Sequence, residues 1–116
     1  MAFRPRWAAE ATQQFEKLKD AASKSAAKRA KDGKSKSSKS EGLFKQVEKC
    51  VRLLLEDPRH PGLQTHEFVS IEHPFDPHGK VFESYVQHRT PGAYRLFWCC
   101  GPGQREITIL AITPHP

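Results

Sequence analysis

Glu83, Tyr85 and Arg95 fall on segments that read as strands, His66 precedes them, and His115 follows the last one. These residue types suit transfer at a phosphodiester with a neighbouring hydroxyl as nucleophile. A base takes the proton from the 2′-hydroxyl, an acid protonates the leaving 5′-oxygen, and a cation stabilises the charge that builds on the phosphate. Histidine fits either proton role. Arginine fits the phosphate because its planar fork holds two oxygens. Such chemistry needs no metal, and the spacing of the six histidines matches no compact ligand motif, so no metal or cofactor is expected. The groups converge only if they share one face of a sheet. Each also has a plainer reading: Arg95 as a surface residue paired with Glu83, and His115 as a tail residue.

Further polar candidates flank these five. His60, between Arg59 and Pro61, reads either as a turn residue or as a contact to a polyanion, as do His88 and Arg89 in the loop before Gly92. Lys34, Lys36 and Lys39 lie in a Ser/Lys-rich connection at 31–40. That connection cannot bury anything. It is either a flexible, solvated joint between helices or an electrostatic arm along a nucleic-acid backbone. His73 and His78 lie in a polar loop and carry no role in this reading.

The elements that must position these groups follow from periodicity. Residues 2–6 read as a short strand, which Pro5 confines to a sheet edge. Trp7, Ala11, Phe15, Leu18 and Ala22 recur at helical steps and give one apolar stripe, in a helix that reaches the region of Ala30. Gly33 breaks it. Ser38 and Glu41 have capping-box spacing. Leu43, Phe44, Val47, Cys50, Val51, Leu54 and Leu55 then form a continuous stripe that ends at Asp57-Pro58. Strands are expected at 65–71, 81–87, 93–100 and 106–113, separated by Pro- and Gly-containing turns. The last is apolar on both faces, which predicts a central, covered strand. The expectation is an α+β fold in a single domain over 1–116, a two-helix hairpin packed on one face of a small, mainly antiparallel sheet. Trp98 or Phe97 should be buried against Val47, Val51 or Leu54.

A net charge of +6 favours a polyanionic partner: nucleic acid, an acidic protein or an anionic surface. Cys50, Cys99 and Cys100 form no Cys-x-x-Cys pair and read as reduced thiols, which points to the cytoplasm. No apolar run approaches the roughly 20 residues that span a bilayer, so no membrane association is expected.

The chain resembles the RelE/ParE superfamily of bacterial toxins from type II toxin–antitoxin systems. The resemblance is carried by the apolar helix ending at Asp57-Pro58-Arg59, by His60-Pro61-Gly62-Leu63, by Gly92-Ala93-Tyr94-Arg95-Leu96-Phe97-Trp98, and by the closing strand Ile107 to Thr113 with a basic residue after it. It implies a toxin that cleaves mRNA on the ribosome, with the ribosome, mRNA and a cognate acidic antitoxin as partners. It further implies that Arg95, in the Tyr-Arg strand motif, contacts the phosphate, and that His115 is a catalytic group. Glu83 or Tyr85, and His60 or His66, occupy comparable regions. The ParE branch implies an alternative, binding of gyrase or another protein target without cleavage. A non-catalytic nucleic-acid-binding protein is a further alternative. The strand at 81–86 lacks the paired lysines of some RelE members, and the connection at 31–40 is longer than expected for the family.

Overall fold

The computed structural model describes residues 2–115; Met1 and Pro116 lie outside the described residues. The order is β1 (Arg4–Trp7), α1 (Ala9–Lys31), α2 (Lys39–Glu56), a 3-10 turn (Pro61–Leu63), β2 (His66–Glu67), β3 (Val81–Tyr85), β4 (Tyr94–Cys100) and β5 (Glu106–Pro114). The strands form one sheet in the order β1-β5-β4-β3-β2, antiparallel except for the parallel β1–β5 pair. Pro5 sits on the edge strand, as its missing N–H requires. β5 lies between β1 and β4, which explains its apolar residues on both faces.

Both helices cover one face of the sheet. Ala11, Val47, Cys50 and Leu54 pack with Leu96, Trp98, Ile107, Ile109 and Ile112 in one cluster, with Phe15, Leu18, Leu43 and Val51 against its rim. Of the two aromatic candidates it is Trp98 that enters this core. Its indole Nε1–H donates to Ser84 Oγ at 2.8 Å, and Ser84 Oγ lies 2.7 Å from Thr65 Oγ1, so the buried N–H is satisfied. Phe97 points to the opposite face, where it stacks with Phe68 at 4.7 Å between ring centroids.

Three sequence expectations shift. Trp7 closes β1 instead of opening the helix, and its ring meets Phe15 edge-on at 5.0 Å. The strand expected at 65–71 pairs only at His66–Glu67. Phe68 N–H still donates to Val81 O, but the next residue, Val69, is 84% exposed and the chain has left the ladder. The strand expected over 81–87 closes at Tyr85.

The β4–β5 ladder carries a bulge. Phe97 pairs with Ala111 and Trp98 with Ile109, which leaves Leu110 as the extra residue. The bulge reverses the inside-outside alternation of β5. Ile107 and Ile109 face the helices before it, and Ile112 does so after it. Ala111, Thr113 and His115 are therefore turned to the opposite face.

The helix hairpin is fastened at its far end by polar contacts. Ser38 and Glu41 form the expected capping box, Ser25 Oγ donates to Ser38 Oγ at 2.6 Å, and Arg29 Nε donates to both Glu41 oxygens at 3.1 and 3.2 Å. Burial pushes the Glu41 carboxyl up, but the hydrogen bonds and charge of Arg29, with those of Ser38 and Ser37, outweigh it and hold the group below its ordinary range. A lowered carboxylate pKa contributes stability above its unfolded value and loses it as pH falls through the folded one. Glu41→Gln is therefore expected to lower the melting temperature at neutral pH and to flatten its fall below about pH 4.5. Melting curves from pH 7 to pH 3 check this; parallel curves for parent and variant would remove the hairpin clasp from the stability account. In the core, Leu54→Ala should cost roughly 2–5 kcal/mol by denaturant unfolding.

Candidate functional site

The face of the sheet opposite the helices gathers the polar side chains. Alternation along β3 sends Phe82 and Ser84 to the helix side and Glu83 and Tyr85 to the other. The register sets His66 opposite Glu83 and Arg95 opposite Tyr85. After β5 the backbone N–H of His115 donates to Ala93 O at 2.8 Å, which extends the β4–β5 pairing by one more bond. With the Leu110 bulge, this delivers the His115 ring to the same face.

Glu83 is the centre of the cluster. It is 1% exposed, and its carboxylate lies between two imidazoles, with His66 Nε2 at 2.5 Å from Oε1 and His115 Nδ1 at 3.1 Å from Oε2. A buried carboxylate needs hydrogen-bond donors on both oxygens, and these two rings supply them. An ionised Glu83 accepts from the ring nitrogen that faces each oxygen, His66 Nε2 and His115 Nδ1. The carbonyl oxygen of Gln64 sits 3.2 Å from His66 Nδ1. His115 donates from Nδ1, which leaves the Nε2 lone pair directed away from Glu83 and available as a proton acceptor. Half of each imidazole is exposed.

Arg95 is held differently. Its Nη1 donates to Gln87 O at 2.7 Å and to Tyr94 O at 3.2 Å, and its Cζ lies 3.6 Å from the centroid of the Tyr85 ring. Arg95 does not pair with Glu83: Phe97 stands opposite Glu83, whose oxygens meet the two imidazoles, while Arg95 donates to the Gln87 and Tyr94 carbonyls. Arg95 is also only 8% exposed, so it is not a surface residue. Among the described residues its Nε is the one buried side-chain polar atom without a partner. Tyr85 is the hub of an aromatic group, edge-on to His66 at 5.8 Å and tilted against His88 at 5.3 Å.

β2 pairs only with Phe82 and Glu83, so β3 is at the sheet edge by Tyr85. Tyr85 and His88 therefore also line a groove of about 430 Å³ with Gln46 and Lys49 of α2 and with His60. Lys49 and the Gln87 carbonyl carry no signal in the sequence; only the tertiary arrangement brings them here. His60 lies outside the Glu83 cluster and acts as a turn residue, its Nδ1 accepting from Gly62 N–H at 3.0 Å. Arg89 is an exposed turn residue at φ 59°, between His88 and Gly92. Lys34 and Lys36 lie between the helices and Lys39 opens α2, all three exposed. His73 organises its own loop: its Nδ1 accepts from Phe75 and Asp76, and its Nε2 lies 3.0 Å from Cys100 O. The larger groove, about 810 Å³ and lined by Phe3, Asp57, His60, Phe82 and Trp98, is away from the cluster and holds none of its acid/base groups.

The thiols are poor nucleophiles. Burial pushes Cys50 up to about 12, and burial together with the neighbouring Cys100 pushes Cys99 up to about 11, so both are protonated near neutrality. Among the described residues no group of three or more His, Cys, Asp or Glu side chains is arranged to hold a metal ion. No helix among them is long and apolar enough to cross a membrane.

No protein-family model matches this sequence, and no curated protein does. Solved structures do. A YoeB/ParE toxin from Agrobacterium tumefaciens superposes with a TM-score of 0.59 at 7% identity, over 97% of this chain and 99% of that one. The fold is that of the RelE/ParE toxins. The archaeal RelE of a RelE–RelB complex from Pyrococcus horikoshii gives 0.57 at 12% identity, over 98% of this chain and 96% of the other. A YoeB dimer from Staphylococcus aureus gives 0.57 at 10% identity over the whole of both chains. At these identities the RelE/ParE likeness is one of architecture: two helices on one face of a five-stranded, mostly antiparallel sheet.

The Glu83 clasp is open to direct measurement. Glu83→Gln keeps the size of the side chain but turns one carboxylate oxygen into an N–H donor facing an imidazole N–H. The expected cost is roughly 1–3 kcal/mol of unfolding free energy, the penalty of a buried hydrogen bond left unmade. Imidazole ¹⁵N spectra should show His115 protonated at Nδ1 in the parent and a mixture of tautomers in the variant. An unchanged denaturation midpoint with unchanged tautomers would mean that Glu83 does not hold the rings.

Proposed function

We propose that this protein is the toxin of a type II toxin–antitoxin pair and that it cleaves mRNA on the ribosome, in the cytoplasm, by metal-independent attack of a 2′-hydroxyl on the adjacent phosphate. The observation that carries this reading is the Glu83 clasp. A carboxylate buried between two imidazoles fixes the tautomer of His115 and leaves a proton acceptor at the mouth of the site. The RelE/ParE fold supports the toxin assignment, and the archaeal neighbour, a RelE in complex with RelB, supports an antitoxin as partner.

In this mechanism His115 Nε2 takes the 2′-hydroxyl proton and the 2′-oxygen attacks phosphorus. The 5′-oxygen leaves with a proton from His88, whose ring makes no hydrogen bond among the described residues and packs on Tyr85, the residue that Arg95 also meets. The products are a 2′,3′-cyclic phosphate and a 5′-hydroxyl. His66 is tied to Gln64 and Glu83 and serves as a fixed donor that keeps Glu83 in place. The Arg95 guanidinium, with Nη1 committed to backbone carbonyls and Nε buried, offers Nη2 to the phosphate and so supplies the charge contact. Tyr85 is a positioning residue that holds the Arg95 guanidinium and the His88 ring by contact with its own.

His115→Gln is expected to lower cleavage by about 10²–10⁴-fold, the range for losing a general acid or base. Arg95→Lys keeps the charge but loses the fork, and should lower it by roughly 10²-fold or more, the scale of one transition-state contact. The check is primer extension on cellular mRNA after induction, with expression levels matched. Full growth inhibition without new mRNA ends would replace this reading with binding of gyrase or another protein target. Binding of nucleic acid with neither cleavage nor growth inhibition would replace it with a non-catalytic role.

A further inference from the structure

The charge of this chain is concentrated in one place. Residues 21–40 hold seven basic side chains and one acidic, which accounts for the entire net +6; the other twelve basic and twelve acidic residues cancel. This segment is the end of α1, the connection and the start of α2. Two of its cations are paired internally, Lys24 with Asp20 and Arg29 with Glu41. Lys28, Lys31, Lys34, Lys36 and Lys39 are exposed and make no ion pair among the described residues. Lys24, Lys28 and Lys31 recur at four- and three-residue steps, along one face of α1.

The fold sets where this end points. α1 starts beside Ile109, where Ala8 N–H donates to Ile109 O, and further along Gln14 Oε1 accepts from Ile112 N–H. The helix thus advances in the direction of β5, toward the end of the sheet where Tyr85, His88, Arg95 and His115 lie. Gln46 on α2 meets Gln87 at that same end, and Phe15 meets Phe44 nearby. From Leu18, the last α1 residue against the core, to Lys31, thirteen residues at 1.5 Å each carry α1 roughly 20 Å further. The molecule is accordingly elongated, 52 × 26 × 26 Å.

We propose that this projecting hairpin is an arm that grips the phosphate backbone of a folded, double-helical RNA, away from the nucleotides in the cleft. The proposal rests on the ribosomal nuclease reading and names the contact that would make it depend on a large RNA. Composition selects the occupant. No aromatic residue occurs between Phe15 and Phe44, so the arm lacks the stacking surfaces that bind single strands. Its apolar content from 21 to 40 is alanine alone, which gives neither the aromatic and apolar centre of a protein interface nor the Trp, Phe and Leu of a membrane-surface helix. Lysines interspersed with serines are sufficient for a duplex backbone, which is met through phosphates and shape.

The test compares the parent with a variant in which Lys28, Lys31, Lys34, Lys36 and Lys39 are all Gln, and with a second in which all five are Arg. Binding to a short RNA duplex, to purified ribosomes, to an acidic peptide and to anionic vesicles is measured over a salt series, with melting temperature and mRNA cleavage read in parallel. The Gln variant should bind both more weakly and flatten the logarithmic salt slope by roughly one unit per lost phosphate contact, hence about four to five. The Arg variant should retain both properties, and the melting temperature should stay unchanged in each. Equal affinity and slope for parent and Gln variant would overturn the arm, as would a loss confined to an acidic peptide or to anionic vesicles. These outcomes are independent of the cleavage assay. A parent that binds duplex RNA through these lysines but cuts no mRNA retains the arm and loses the nuclease; a parent that cuts mRNA and binds equally without them does the reverse.

Discussion

The polar face of this protein depends on one buried carboxylate. Glu83 sits on a strand, nearly out of solvent, with an imidazole on each oxygen. Without those donors the burial would be strongly unfavourable. Without the carboxylate the half-exposed His115 ring would lose its hydrogen bond, and His66 would keep only the Gln64 carbonyl and the edge of Tyr85. The three groups come from β2, β3 and the segment after β5, so the contact also joins the edge of the sheet to its middle across β4. A second, independent fastening holds Arg95 through the carbonyl of Gln87 and the face of Tyr85. The His115 ring and the cation thereby have different hydrogen-bond partners, while Tyr85 touches both Arg95 and the rings of His66 and His88.

The helix side of the sheet is built on different terms. Its core is apolar, with polar contacts confined to the Trp98, Ser84 and Thr65 chain and to Gln14 and Gln46, which meet Ile112 N–H and Gln87. Because β3 and β4 carry apolar residues on one face and chemistry on the other, a single-residue slip in either would exchange core for site. Dense packing around Val47, Leu54, Leu96 and Trp98 resists such a slip, and that is how the core contributes to function.

Much of the architecture was legible in the chain. The stripe from Leu43 to Leu55, the capping pair Ser38 and Glu41, the stop at Asp57-Pro58 and the apolar run at 107–113 each translate directly into an element. The alternation of 81–86 also separates Glu83 and Tyr85 from Phe82 and Ser84. What could not be read is the placement of His115. Counting by twos from Ile107 and Ile109 would put it on the helix side; the bulge at Leu110 reverses that, and nothing in the apolar run Ile109-Leu110-Ala111-Ile112 marks where an extra residue sits. The partners of Glu83 were equally hidden. Arg95 is the obvious counter-charge by residue type, but it stands two residues along β4 from the position opposite Glu83, and Glu83 meets two histidines instead. The brevity of β2 depends on Phe68 folding over to Phe97, a tertiary event with no local signature.

The uneven placement of charge gives the molecule a large electric dipole along its 52 Å axis, since the body is neutral and the hairpin end carries the whole excess. In the field of a polyanion such a body experiences a torque as well as an attraction, and it turns hairpin-first before contact. The cleft lies at the end of the sheet from which the hairpin projects, so this rotation also brings His115 and Arg95 toward the surface being approached. Orientation is then settled during diffusion, and fewer encounters are wasted on the wrong face. Such a gain resides in the association rate and fades as counterions shorten the range of the field.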